Sequence, residues 1–112
     1  MEKQVDLPYT KDQKRLLYRL FSKYRREAKE RGFEFSLSKE FFYRTVLLNC
    51  FYCGRPPSQE IRDVLGWILR GGIDRVDNNI GYIENNCVPC CKWCNYEKGT
   101  STLESFLNGR HG

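Results

Sequence analysis

Residues 72–98 read GIDRVDNNIGYIENNCVPCCKWCNYEK, and the fold turns on how they are divided. Ile73-Asp-Arg-Val76, Tyr82-Ile83 and Cys87-Val88 have the β-branched and aromatic character of short strands. Asp77-Asn-Asn-Ile-Gly81 between them has strong turn chemistry, so a β-hairpin is expected. Lys92 to about Lys98 is then a short predicted helix, cut off by Gly99-Thr100. Strand, turn, strand and helix thus follow one another within a single short stretch, with cysteines at the strand-to-helix junction.

Those cysteines decide what holds the stretch together. Six cysteines form three CxxC pairs, Cys50/Cys53, Cys87/Cys90 and Cys91/Cys94, and the chain opens with MEKQVDLPYTKDQK, which has no apolar signal core. Without a secretory signal thiols stay reduced, and paired CxxC spacing points to a metal rather than to a disulfide framework. Cys50-Phe-Tyr-Cys53-Gly54 has the form of a zinc knuckle, with Gly54 available for a positive φ. One four-cysteine site needs a second pair. Cys87 belongs to a strand, whereas Cys91 and Cys94 span a helix start, where the dipole favours thiolate. The expected zinc ligands are therefore Cys50, Cys53, Cys91 and Cys94, two pairs separated by 37 residues, with Cys87 and Cys90 as buried small hydrophobes. This zinc is expected to staple the fold.

Upstream, Thr10-Lys-Asp-Gln13 is a capping box opening a helix. Leu16, Leu17, Leu20, Phe21, Tyr24 and Ala28 recur on one face of it, up to a stop at Gly32. Ser38 caps a second helix from Lys39 to about Leu48, whose Phe41, Phe42, Val46 and Leu47 close over the same core. Pro56-Pro57 then breaks regular structure. Residues 58–71 are expected as a loop with a short helix, because Ile61, Val64, Leu65 and Ile68 have partial helical spacing interrupted by Gly66 and Gly71-Gly72. Ser101-Thr-Leu-Glu104 is a second capping box, opening a final helix through Leu107. The expected organisation is a basic helical segment over residues 1–35 and a zinc-bound α+β unit over residues 36–112, together one small domain.

At 112 residues the chain excludes a multidomain enzyme, and no apolar run approaches the length of a membrane span. Residues 1–31 carry ten basic against five acidic side chains, which is the whole of the net +5. The expected polyanion contact is nucleic acid along this helix, through Lys14, Arg15, Arg19, Lys23, Arg25 and Arg26. Tyr9, Tyr43, Phe51, Tyr52, Trp67, Tyr82 and Trp93 are read mainly as core or knuckle packing rather than as base-stacking platforms.

The pattern DR.DN..GY.EN.....C..CN..K over residues 74–98, with a CxxC pair on either side of the hairpin, resembles the ββα-metal core of HNH endonucleases. The resemblance is closest to small phage and bacterial zinc-containing members, and it covers residues 36–107. It implies a ββα-metal fold and a phosphodiester hydrolase that cuts or nicks DNA to 5′-phosphate and 3′-hydroxyl ends. A catalytic Mg²⁺ or Mn²⁺ is implied on Asp74 and Asn95, with the strand-helix unit lying across the minor groove. Asn86 falls on a loop-tethering position and Lys98 on a trailing basic position expected to contact phosphate. Physical chemistry supports such a set: a hard cation takes oxygen ligands, and phosphodiester hydrolysis needs an attacking water and charge stabilisation on the leaving oxygen.

The chain departs from the family where most members have a histidine general base, for Arg75 follows Asp74 and the only histidine is His111. Arginine does not give up its proton, but its planar fork suits a phosphate. Arg75 is therefore expected as a clamp, with Asp77 or Tyr96 as helpers. Asp74 and Arg75 serve one phosphate only if the strand ends or bulges there, since adjacent strand residues face opposite sides. Two alternatives stand beside the nuclease: a zinc-stapled binding module with a degenerate site, and an interaction factor for a phage or host protein. The expected setting is the cytoplasm of a bacterial host, the gene being carried by a phage or mobile element, with the protein a monomer or weak dimer.

Overall fold

The computed structural model describes residues 9–99. Helix α1 (Lys11–Glu30) starts where the capping box predicts: the Gln13 N–H donates to Thr10 Oγ1 at 3.1 Å, and the Thr10 N–H to Gln13 Oε1 at 2.8 Å. It ends in a Schellman motif. Gly32 has φ +80°, its N–H reaches Lys29 O, and the Phe33 N–H reaches Ala28 O at 2.8 Å. Helix α2 (Lys39–Val46) is capped by Ser38, whose Oγ accepts from the Phe41 N–H.

The apolar faces of α1 and α2 meet in one core of Leu16, Leu17, Leu20, Phe21, Phe42 and Val46, into which Ile73, Tyr82 and Cys87 also pack. Phe42 is the largest fully buried side chain. Phe21 meets Phe35 and Phe42 edge-on, each at 5.4 Å between centroids. Burial of each such ring contributes about 1.5–3 kcal/mol. The α1 stripe thus belongs to the same core as the residues 72–98 that carry the candidate site.

Residues 58–71 are not a loop with a short helix. They form an antiparallel hairpin of β1 (Gln59–Asp63) and β2 (Gly66–Arg70). The spacing of Ile61, Val64, Leu65 and Ile68 mimics a helix because a two-residue turn falls inside it. Val64 and Leu65 are that turn, 98% and 60% exposed, while Ile61 and Ile68 are cross-strand partners facing α1. Arg15 grips Asp63 with both guanidinium nitrogens (2.6 and 3.2 Å) and Arg19 adds a third contact at 3.0 Å, tying the hairpin to α1.

The second hairpin exists, but its partner strand is displaced. β3 (Gly72–Arg75) pairs antiparallel with β4 (Cys87–Cys90), from Gly72 opposite Cys90 to Arg75 opposite Cys87. Tyr82-Ile83 is not in that ladder. Tyr82 instead bridges Phe35 in parallel, and a 3-10 turn at Glu84–Asn86 leads into β4. The aromatic pull of Phe35 and Tyr24 on Tyr82 outweighs ladder pairing there. Helix α3 (Lys92–Lys98) follows, with Cys91 as its N-cap, so β3, β4 and α3 form the expected ββα unit of an α+β fold. The final capping box at Ser101 and the helix through Leu107 lie outside the described residues, as does His111. No helix of the described residues is long and apolar enough to cross a membrane.

Candidate active site and metal centre

The knuckle turns at Gly54, φ +80°, with the Gly54 N–H on Cys50 O at 2.9 Å. This brings Cys50 and Cys53 against Cys91 and Cys94, and the four sulfurs all lie within 4.8 Å of one another. A tetrahedral zinc with Zn–S near 2.3 Å requires sulfurs about 3.8 Å apart; Cys53 and Cys91 Sγ are 3.6 Å apart. The donor set and its spacing therefore fit zinc. Burial pushes the Cys91 thiol up, and the Cys94 N–H, Cys53 and Arg55 more than reverse this, to about 6. Neither Cys87 nor Cys90 belongs to the group of four: Cys87 packs in the main core, and Cys90 packs against Cys50, Cys91 and Cys94. Burial raises both, Cys87 to about 12, so they remain neutral thiols, as expected from sequence.

Asp74 lies at the middle of β3, 7% exposed, with two partners on the same oxygen. Tyr52 Oη donates to Oδ2 at 2.6 Å, and Lys98 Nζ lies 3.2 Å from it. Burial and the adjoining Asp74 carboxylate raise the Tyr52 hydroxyl far above its ordinary value, so it stays a donor. Tyr52 sits between two zinc-ligand positions, and the cysteine cluster and Asp74 are therefore joined by one side chain. Nothing in a CxxC sequence marks its aromatic residue for this contact, and only the packing of the knuckle against β3 reveals it.

Lys98 has a different place from the one expected. It is 1% exposed and its ammonium is shared between Asp74 Oδ2 and Arg75 O at 3.3 Å, so it faces the strand and not solvent. Its backbone position at the end of α3 turns the side chain inward over β3. What is legible as a trailing basic residue is, in three dimensions, the counterion of Asp74.

Arg75 ends β3, as a shared site with Asp74 requires. Its Nη1 donates to Asn78 O at 2.7 Å and Ile80 O at 3.1 Å, and its guanidinium lies 3.7 Å from the centroid of the Phe33 ring. Asn86 completes the loop. Its Oδ1 accepts from the Asp77 N–H at 2.9 Å, and its Nδ2 reaches the carbonyls of Asp77, Ile80 and Gly81 at 3.0–3.2 Å. This is the tethering role expected of Asn86.

Asp74, Arg75 and Asn95 line one open cleft of about 240 Å³, together with Tyr24 and Glu27 of α1 and Arg31 just past its C-terminal end. Asp74 offers a carboxylate and the exposed Asn95 an amide oxygen, a set that fits a hard cation completing its shell with water and phosphate. Of the helper residues, Asp77 Oδ1 accepts from the Asn79 N–H, and Tyr96 is 89% exposed. On α1, Lys14, Lys23, Arg25 and Arg26 are exposed, whereas Arg15 and Arg19 are held on Asp63. Tyr9, Tyr43 and Tyr82 pack in the core as expected, while Phe51, Trp67 and Trp93 are about half exposed.

No protein-family model matches the chain. A search of solved structures finds the rare-cutting HNH restriction endonuclease PacI, with a TM-score of 0.61 over 82% of this chain and 72% of that one, at 20% identity. The likeness establishes the fold. Among curated proteins, "Uncharacterized protein R423" of Acanthamoeba polyphaga mimivirus is 39% identical over 87 residues. These span 78% of this chain and 15% of that protein's length. The chain is therefore similar to an HNH endonuclease in fold and to a short part of a large viral protein in sequence.

Proposed function

We propose that this chain is a metal-dependent endonuclease hydrolysing DNA phosphodiester bonds at the cleft of Asp74, Arg75 and Asn95. The observation that carries the proposal is the convergence of these three side chains in one open cleft, in a chain whose overall fold is similar to that of an HNH endonuclease. Asp74 and Asn95 would hold Mg²⁺ or Mn²⁺. When bound, such an ion polarises the scissile phosphate and supports an attacking water. Tyr52 and Lys98 fix the Asp74 carboxylate from behind. Arg75 and Asn86 hold the 76–81 loop at the cleft's edge. Arg75 lines the cleft while bonded to that loop, so it orients the site and places positive charge beside the phosphate. Zinc on the four cysteines would staple α3 to the knuckle and so hold Asn95 in register with Asp74. The exposed bases of α1, Lys14, Lys23, Arg25 and Arg26, would contact the duplex backbone through salt-sensitive contacts.

A binding module without catalysis is the second reading, favoured by the Arg75 guanidinium being bonded to loop carbonyls where a general base would stand. Supercoiled-plasmid conversion separates the two. Zinc-loaded protein with Mg²⁺ or Mn²⁺ is expected to yield nicked or linear product, lost in Asp74→Asn and in Asn95→Ala. Asn95 is exposed, so the second variant leaves the fold intact. Retarded plasmid with no product under either ion overturns the nuclease reading in favour of the binding module.

A further inference from the structure

A second cleft, of about 340 Å³, adjoins the first, and Tyr24 and Asn95 line both. Its charge is different. The first cleft sets Glu27 and Asp74 against Arg31 and Arg75, whereas the second is lined by Arg70 and Lys92 with no carboxylate. Arg70 ends β2 half-buried. Its Nη1 donates to Gly71 O at 3.2 Å, while its buried Nε has no hydrogen-bond partner among the described residues. A buried guanidinium nitrogen with nothing to donate to costs about 1–3 kcal/mol.

Arg55 meets the cysteine cluster, with Nη1 3.9 Å from Cys91 Sγ. Gly72 also lines the second cleft, and a Cβ there would lie 3.0 Å from Tyr24 Oη and 3.3 Å from Cys90 O, so a larger residue would crowd this wall.

We infer that this second cleft, with Arg70 and Lys92 as donors, binds a backbone phosphate of the DNA strand flanking the one placed over Asp74 and Asn95. The inference rests on the endonuclease reading and deepens it by assigning Arg70 of β2, outside the ββα unit, and Lys92, at the start of α3, to the substrate. Arg70 presents a fixed fork and Lys92 a mobile point charge, and together they neutralise one phosphate. Such a contact positions the strand and carries no sequence information.

The test is the salt dependence of DNA binding by the zinc-loaded chain without Mg²⁺ or Mn²⁺, using a labelled duplex. The plot of log affinity against log salt is expected to be shallower by about 0.9 in Arg70→Gln/Lys92→Gln than in the unaltered chain, the loss of one phosphate contact. Between about 50 and 200 mM salt the variant then weakens about 3-fold less. Arg70→Lys, which keeps the charge, is expected to retain the slope. Lys92 is exposed, so Lys92→Glu, which removes one cation and offsets the charge of Arg70, reads the same effect if Arg70→Gln fails to fold. Equal slopes, with binding by the unaltered chain intact, overturn the second phosphate site and leave the endonuclease reading standing. No binding by the unaltered chain overturns both.

Discussion

Lys98→Met tests whether Asp74 depends on its buried counterion. Both partners are almost wholly out of water, with side chains 0% and 8% exposed, and their charges are 3.2 Å apart. At an effective dielectric of about 20 the attraction is about 5 kcal/mol, most of which offsets the cost of removing both groups from water. Methionine fills the lysine's volume but leaves the carboxylate with the Tyr52 hydroxyl and no cation on it among the described residues, so the charge stays buried and under-compensated. Breaking one side of such a pair costs ~3–5 kcal/mol. With a urea slope of about 2 kcal/mol per molar, that lowers the unfolding midpoint by roughly 1.5–2.5 M. The assay is equilibrium urea unfolding of zinc-saturated protein, run beside Asp74→Asn and the double variant. Removing both charges should restore much of the loss, giving a coupling that the two single changes cannot produce independently. A midpoint within about 0.3 M of the unaltered chain for Lys98→Met, or additive losses in the double variant, would refute the pairing.

Other outcomes follow from the same geometry. Chelation of the metal, or Cys94→Ser at a fully buried sulfur, is expected to unfold the chain because metal affinity at such sites is folding energy; metal content near one zinc per chain and collapse of tryptophan fluorescence on chelation check it. Gly81→Ala places a Cβ 2.6 Å from Glu34 O and 2.8 Å from Glu34 N, both backbone, and should cost ~1–3 kcal/mol in thermal or urea unfolding by forcing apart the Phe35–Tyr82 bridge. Burial raises the Tyr43 hydroxyl from 10.0 to about 12, with Tyr9, Tyr18 and Glu40 adding to it. The unfolded chain therefore loses this proton first, and stability should fall as pH rises from 10 to about 12; Tyr43→Phe should flatten that fall, and an identical alkaline profile would contradict it.

Local chemistry in the sequence determined a good deal. The capping box at Thr10, the α1 stripe, the Ser38 cap, the Gly54 turn and the short helix after Cys91 are each specified by residues within a turn or two of one another. The four-cysteine cluster was legible for a related reason. CxxC pairs are local devices, and Cys87's place in a strand separates it from the cluster before any contact is known. Asp74 and Asn95 stand out in the sequence through their place in a motif, and both line the same cleft.

What the sequence could not decide was every question of which distant group a side chain meets. Ile61, Val64, Leu65 and Ile68 satisfy helical spacing, yet α1 offers Ile61 and Ile68 a surface and Asp63 a pair of arginines, so a hairpin wins. Tyr82 left its expected strand for the ring of Phe35. Tyr52, Lys98 and Arg75 differ most from their local appearance: a knuckle aromatic supports Asp74, a basic residue is buried against it, and an arginine is stacked on Phe33 and bonded to a loop. Burial and long-range pairing set these roles, because a charge taken out of water must find its partner wherever the packed chain places one.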